Sequence, residues 1–167
     1  MKKLSILALL GFAPVALFAG SSAPAPKATG SFTFASNIDG KTTAYIVLNA
    51  KQMDPALTGQ GTIFFQDGAG TAYLDVKYVR VEGNTAYVAS QVGEGSNYAG
   101  QPVGNWYVNI FVDNGEPGVG HDTIKGAAIG TDPANALKAL TWVTDPQQAA
   151  WQTVDIPITS GNIQVHQ

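Results

Sequence analysis

Residues 72–92 read AYLDVKYVRVEGNTAYVASQV, and this stretch decides the fold. Leu74, Val76 and Tyr78 alternate with Asp75 and Lys77, the two-residue period of a strand. The apolar set then changes sides, with Val79 and Val81 falling on the former polar face. A one-residue slip within a strand is what a β-bulge produces. Glu82-Gly83-Asn84 follows as a tight-turn signal, and Thr85–Val92 resumes the strand pattern.

The same period recurs on both sides. Ser31–Ser36 sets Phe32 and Phe34 on one face, and Thr42–Ala50 does the same with Ala44, Ile46 and Leu48. Thr62–Gln66 is T-I-F-F-Q. Asn105–Val112 alternates Trp106, Val108, Ile110 and Val112 with Tyr107, Asn109 and Phe111. Asp122–Ile129, Trp151–Ile158 and Gly161–His166 complete the set. Short strands at this spacing, divided by Gly, Asn, Asp and Pro, predict an all-β fold: one antiparallel β-barrel, or barrel-like sandwich, of about eight strands. The alternation assigns Phe32, Phe34, Ile46, Leu48, Phe64, Leu74, Val76, Val88, Trp106 and Ile110 to the core, with Trp106, Val108, Ile110 and Val112 as one buried row. In the last strand Ile163 and Val165 face inward, and Asn162, Gln164 and His166 outward. Side chains of this size fill an eight-stranded barrel.

One segment breaks the period. Thr131–Gln152 is rich in Ala, Leu and Gln. Asp132-Pro133 and Asp145-Pro146 each read as a helix cap followed by proline at the first helical position. This predicts a short helical insertion near 131–151, closing one end of the barrel or lying over a site.

At the N-terminus Lys2 and Lys3 precede an apolar run from Leu4 to about Ala19 and then small residues, the order of a secretory signal peptide. Residues 1–25 are therefore read as signal peptide and Ala/Pro spacer, and 28–167 as a single β domain. The expected location is periplasmic or extracellular, with no membrane span after cleavage. Ser21 stands where a lipoprotein would carry its cysteine, and the chain has no cysteine at all. The core must therefore hold without disulfides, and thiol chemistry is excluded. Without Lys2 and Lys3, seven basic residues face twelve acidic ones. With no basic cluster to neutralise phosphates, nucleic acid is excluded as a partner.

Candidate chemistry is sparse. His121 lies in a glycine-rich turn beside Asp122, and His166 is penultimate. Neighbouring strand residues point to opposite faces, and no G-x-S-x-G elbow or H-E-x-x-H helix is present. No catalytic set can be assembled on paper, and no cofactor is called for. The densest polar feature is Asp113–Asp122, a hairpin loop in which Asp113 or Asn114 is expected to bond nearby main-chain N–H groups. The competing reading is a calcium site using Asp113, Asn114, Glu116 and Asp122. These are oxygen donors, but four side chains fall short of the six to eight ligands calcium takes, and the spacing is not that of an EF-hand. Aromatic residues, among them Tyr45, Tyr73, Tyr98 and Trp106, offer a sugar or small-ligand groove. Core packing explains such residues equally well.

Three motifs occur in order: Val81-Glu82-Gly83-Asn84-Thr85-Ala86, then Asp113-Asn114-Gly115-Glu116-Pro117-Gly118 with Asp122 beyond, then a terminal Gly161-Asn162-Ile163-Gln164-Val165-His166. With Phe65-Gln66-Asp67 ahead of them, the chain resembles an uncharacterised family of bacterial exported small β-barrel-like domains marked by V-x-G-N-x-A, D-N-G-E-P-G and a terminal G-N-I-Q-[IV]-H. The resemblance covers about Gly59–Ile124 and the end of the chain, and the Thr131–Trp151 stretch departs from it. It implies a small β-barrel-like module, alone or attached to larger secreted proteins, and brings no activity and no catalytic residue.

Three functions are consistent with these residues. The first is a non-catalytic exported module meeting a surface, matrix, protein or glycan partner. The second is a carrier of a small apolar ligand inside a barrel, and the third a hydrolase whose site local sequence does not flag. A pocket in the fold separates the second from the first.

Overall fold

A computed structural model describes residues 24–35, 42–134 and 155–167. Eight strands follow in chain order: β1 (Lys27–Ala35), β2 (Thr43–Gln52), β3 (Gly59–Asp67), β4 (Gly70–Glu82), β5 (Thr85–Val92), β6 (Trp106–Val112), β7 (Thr123–Gly130) and β8 (Ile156–His166). Each pairs antiparallel with its sequence neighbour, and β1 pairs with β8, so the sheet closes as an up-and-down barrel. Closure removes the open edges that a meander would otherwise expose. The expected signal peptide and most of the expected 131–151 insertion lie outside the described residues. Of the insertion, Thr131–Ala134 is seen. There the N–H of Ala134 donates to Asp132 Oδ1 at 2.9 Å, the bond of a helix N-cap.

The interior is apolar and packed. Ala28, Phe32 and Phe34 enter it from β1, Ala44, Ile46, Leu48 and Ala50 from β2, and Leu74, Val76 and Val79 from β4. Phe32 and Phe111 meet edge to face across it, centroids 6.2 Å apart. The slip read in residues 72–92 is a bulge: the β4–β5 register shifts between Val76 and Tyr78, which keeps Val76 and Val79 both inward.

Two core assignments change. Phe64 points outward, because its partners Val47 and Tyr73 are exposed; Ile63 and Phe65 are the inward residues of β3. The row Trp106, Val108, Ile110 and Val112 lies on the outer face. Ile110 pairs with Tyr87 and Lys125, whereas Phe111 pairs with the inward Ala86 and Ile124. Both faces of β6 are apolar, so alternation alone does not name the inner one. Trp106, Val108 and Ile110 are nevertheless buried, Trp106 and Val108 in a second cluster with Ala89, flanked by Tyr78, Tyr87 and Ile129. Trp106 stacks on Tyr78 at 5.9 Å, and the Arg80 guanidinium lies 4.3 Å from the centre of the Tyr87 ring.

The final two expected strands are one. β8 runs unbroken through Gly161, whose φ of +82° and close approach to Ser31 let the strand bend while staying paired. A Cβ at Gly161 would stand 2.0 Å from the Ser31 carbonyl oxygen. Ile163 is fully buried, Val165 half-buried, and Gln164 and His166 exposed.

Candidate functional site

The up-and-down order divides the connections between two ends of the barrel. One end gathers the β2–β3, β4–β5 and β6–β7 connections and the end of β8; the other gathers the β3–β4 turn and the long 93–105 loop. Each end carries its own set of polar side chains.

The first end brings together all three sequence motifs. Asp122 is fully buried, and its two oxygens accept the N–H groups of Asn114 (2.8 Å) and Ile163 (2.9 Å). Asp113 accepts from Gly115 and Val165, each at 3.0 Å. Asn84 donates to the Asp113 carbonyl at 2.8 Å, and Asn114 to the His121 carbonyl at 2.7 Å. Asn162 donates to Glu116 Oε1 at 2.6 Å. Gly118 is where these groups crowd closest: a Cβ there would lie 2.2 Å from Asn162 Oδ1 and 2.4 Å from Asp122 Oδ2. The loop Asp113–Asp122 is thus a clasp that fixes β8 to the rest of the sheet. Its aspartates are occupied by main-chain N–H groups, as the turn reading expects. Among the described residues no three His, Cys, Asp or Glu side chains form a metal-holding group. The neighbours His121 and Asp122 part company: the imidazole is exposed and the carboxylate turned into the barrel wall.

A different site lies where β7 and β8 separate. Among the described residues these strands share two paired positions, Thr123–Pro157 and Ile124–Ile156. A cavity of about 130 Å³ enters there, lined by Phe34, Ile46, Phe65, Asp67, Tyr98, Asn109, Ile124, Lys125, Gly126 and Ile156. Phe34 and Phe65 meet at 6.3 Å, and Tyr98 stands edge-on to Phe65 at 5.2 Å. Tyr98 comes from the 93–105 loop, which is tied to the β3–β4 region by main-chain bonds from Asn97 to Thr71 and Ala99 to Ala69.

Three polar groups are set into these walls. Tyr98 donates its hydroxyl to Asp67 Oδ2 at 2.9 Å, and the N–H of Ala69 holds Asp67 Oδ1 at 2.7 Å. Burial, the hydrogen bond to Asp67 and the charge of that carboxylate together hold the Tyr98 phenol well above its ordinary pKa. Burial, with Asp67 as the lesser cause, pushes neighbouring Tyr107 up to about 12. Both phenols are therefore neutral at physiological pH. The third group is Asn109, whose Oδ1 is sealed from solvent and has no hydrogen-bond partner. Lys125, also on the lining, forms an ion pair with Asp155 at 3.0 Å.

Compared with protein-family models, with curated proteins and with solved structures, the chain matches none.

Sequence reasoning singles out the clasp residues and, of the cavity's polar lining, Tyr98 alone, as one of the aromatic residues offered to a small-ligand groove. Asn109 reads as the face of its strand opposite Trp106 and Val108, and Asp67 as a strand end. The one available signal is Lys125, which marks the outward face of β7 and hence, by cross-strand pairing, Ile110 as outward and Asn109 as inward.

Proposed function

We propose that this chain is an exported, non-catalytic β-barrel module that binds a small ligand in the cavity between β7 and β8. The carrying observation is the cavity itself: apolar and aromatic walls with a few fixed polar groups, the usual make-up of a small-molecule site. Its volume is near that of cavities that take a single benzene ring, roughly 150 Å³. Beyond it the barrel is filled by Phe32, Phe111 and their neighbours, which favours a ring-sized ligand over a fatty-acyl chain. The reading as an exported protein rests on the order of residues at the N-terminus. The non-catalytic reading rests on the absence of any nucleophile–base pair in the sequence motifs.

Thermal melts with a panel of ring-sized fragments test this. A saturable rise in melting temperature is expected, because a ligand bound to the native state alone stabilises it. Ile156→Phe should fill the cavity and abolish the rise. An equal response from this variant would place binding elsewhere.

A second reading is favoured by the outer face of β2–β4. Tyr45, Phe64 and Tyr73 form a file of rings spaced 6.1 and 5.4 Å, with Tyr73 49% exposed and Val47 exposed beside them. A contiguous exposed apolar file is the mark of a contact surface, and a protein or glycan partner would meet it. Loss of partner binding in the double variant Tyr45→Ser/Tyr73→Ser, with ligand response in the cavity intact, distinguishes this reading from the first.

A further inference from the structure

We infer that the outer face of β2, β3 and β4 binds a neutral polysaccharide chain laid across the strands, its sugar rings seated on Tyr45 and Tyr73. This rests on the reading of that face as a contact surface and adds the chemistry of the partner. One cross-strand row runs Val47, Phe64, Tyr73, and the next runs Tyr45, Gln66, Thr71. On β1 the rows continue as Ser31 and Thr33. Neither row holds a charge, so nothing in them draws an ionic partner. Farther along β4 come Asp75 and Lys77, opposite charges 3.7 Å apart.

The rings are in place before any partner arrives. The Tyr45 hydroxyl lies 3.0 Å from Ser31 Oγ on the next strand, which lays the ring along the sheet and leaves it exposed. Phe64, half-buried, stands between the two tyrosines at 66° to Tyr45 and 57° to Tyr73. Gly95, beside the exposed Tyr73 ring, brings no side chain over it. A preformed site keeps the ordering cost of binding low. The C–H groups on one face of a pyranose are weakly positive and settle on the negative face of an aromatic ring. Its hydroxyl groups find donors and acceptors in Ser31, Gln66 and Thr71. Adjacent strands are about 4.8 Å apart, close to the length of one sugar unit, so successive units meet successive strands. The inclined ring planes do not make one flat table, which suits a single soluble chain and not the face of a crystalline polymer. A protein partner is served less well. An ordinary protein interface takes about 20–30 residues a side, whereas the apolar strip is Tyr45, Val47, Phe64 and Tyr73 alone.

Native electrophoresis through gels containing a soluble β-glucan, a mannan, a dextran or the acidic polygalacturonate decides the point on the parent, Tyr45→Ala, Tyr73→Ala and Tyr45→Phe. At least one neutral polysaccharide is expected to retard the parent, and polygalacturonate is not. Each alanine variant should bind that polysaccharide about two- to tenfold more weakly, the value of one ring contact. Tyr45→Phe, which keeps the ring, should bind nearly as the parent does. If no polysaccharide retards the parent, the inference is overturned. If polygalacturonate alone does, and the alanine variants lose it, the face is a contact surface for a charged chain and only the inference falls. If the parent and both alanine variants are retarded alike, the glycan binds elsewhere and the reading of this face as a contact surface fails as well. Should an alanine variant not fold, the ring-proton shifts of Tyr45 and Tyr73 in the parent decide the same question. The neutral polysaccharide at saturation must move both.

Discussion

The buried carboxylate of Asp122 holds the main-chain N–H of Ile163 at 2.9 Å, joining the start of β7 to the last strand of the barrel. Its other oxygen holds Asn114. Asp122→Ala strands both N–H groups at roughly 1–3 kcal/mol each, so the expected loss of stability is about 2–6 kcal/mol. Urea unfolding measures it. A loss below about half a kcal/mol, the range of a neutral surface change, would mean that the clasp does not secure β8.

Deleting Gly161–Gln167 removes the partner of Lys27–Phe32 along β1 and opens the barrel. Unfolding or aggregation is expected, since two unpaired edges are then exposed. A truncated chain that melts like the parent would count against barrel closure.

Phe111 is fully buried and inward, and Val112 is half-buried on the outer face. Phe111→Ala should cost about 3–5 kcal/mol, the usual range for a large core aromatic, and Val112→Ala under about 1.5 kcal/mol. The reverse order would return the inner face of β6 to the Trp106 row.

Alkaline stability follows from the two interior phenols. Tyr98 and Tyr107 have folded pKa values raised above their unfolded value of about 10, mainly by burial. Below about pH 10 both states keep these protons and the contribution to stability is whole. Above it the unfolded chain loses them first, so the native state binds more protons and stability falls as pH rises toward 12, where Tyr107 itself titrates. Between about pH 9 and pH 11, either side of the unfolded phenol pKa, urea midpoints should fall less steeply in Tyr98→Phe/Tyr107→Phe than in the parent. Equal slopes would show that neither phenol is shifted.

Calcium is expected to leave the melting temperature unchanged within about 2 °C of the value in excess chelator, because tight binding to the native state alone would raise it. All four carboxylate oxygens of Asp113 and Asp122 already accept N–H groups. A larger rise, lost in Asp113→Ala, would assign a metal to the clasp.

The fold is legible in the sequence because alternation reports local backbone geometry, which each strand carries in its own residues. Even the bulge near Lys77 shows as a change of side between Val76 and Val79. What alternation leaves open is which of two apolar faces turns inward. On β6 this is settled by pairing with β5 and β7, a tertiary fact, and alternation alone consequently puts the Trp106 row on the wrong side. Phe64 is misplaced for the same reason, between Ile63 and Phe65. The clasp residues stand out because Asn, Asp and Gly gathered in one loop announce a turn. The cavity does not, because its lining is scattered over six strands and a loop, with no more than three residues from any one of them.

The pairing of Lys27 with His166 sets the start of β1 directly beside the end of β8. A force applied to those two points would load the β1–β8 hydrogen bonds one after another, as a zipper opens, and not all together in shear. This long seam closes the barrel, yet along this one axis it would part at low tension. If the module is mounted between two anchors, it is a mechanical weak link. If it is mounted from one end, or from both through the same side, the seam carries no load.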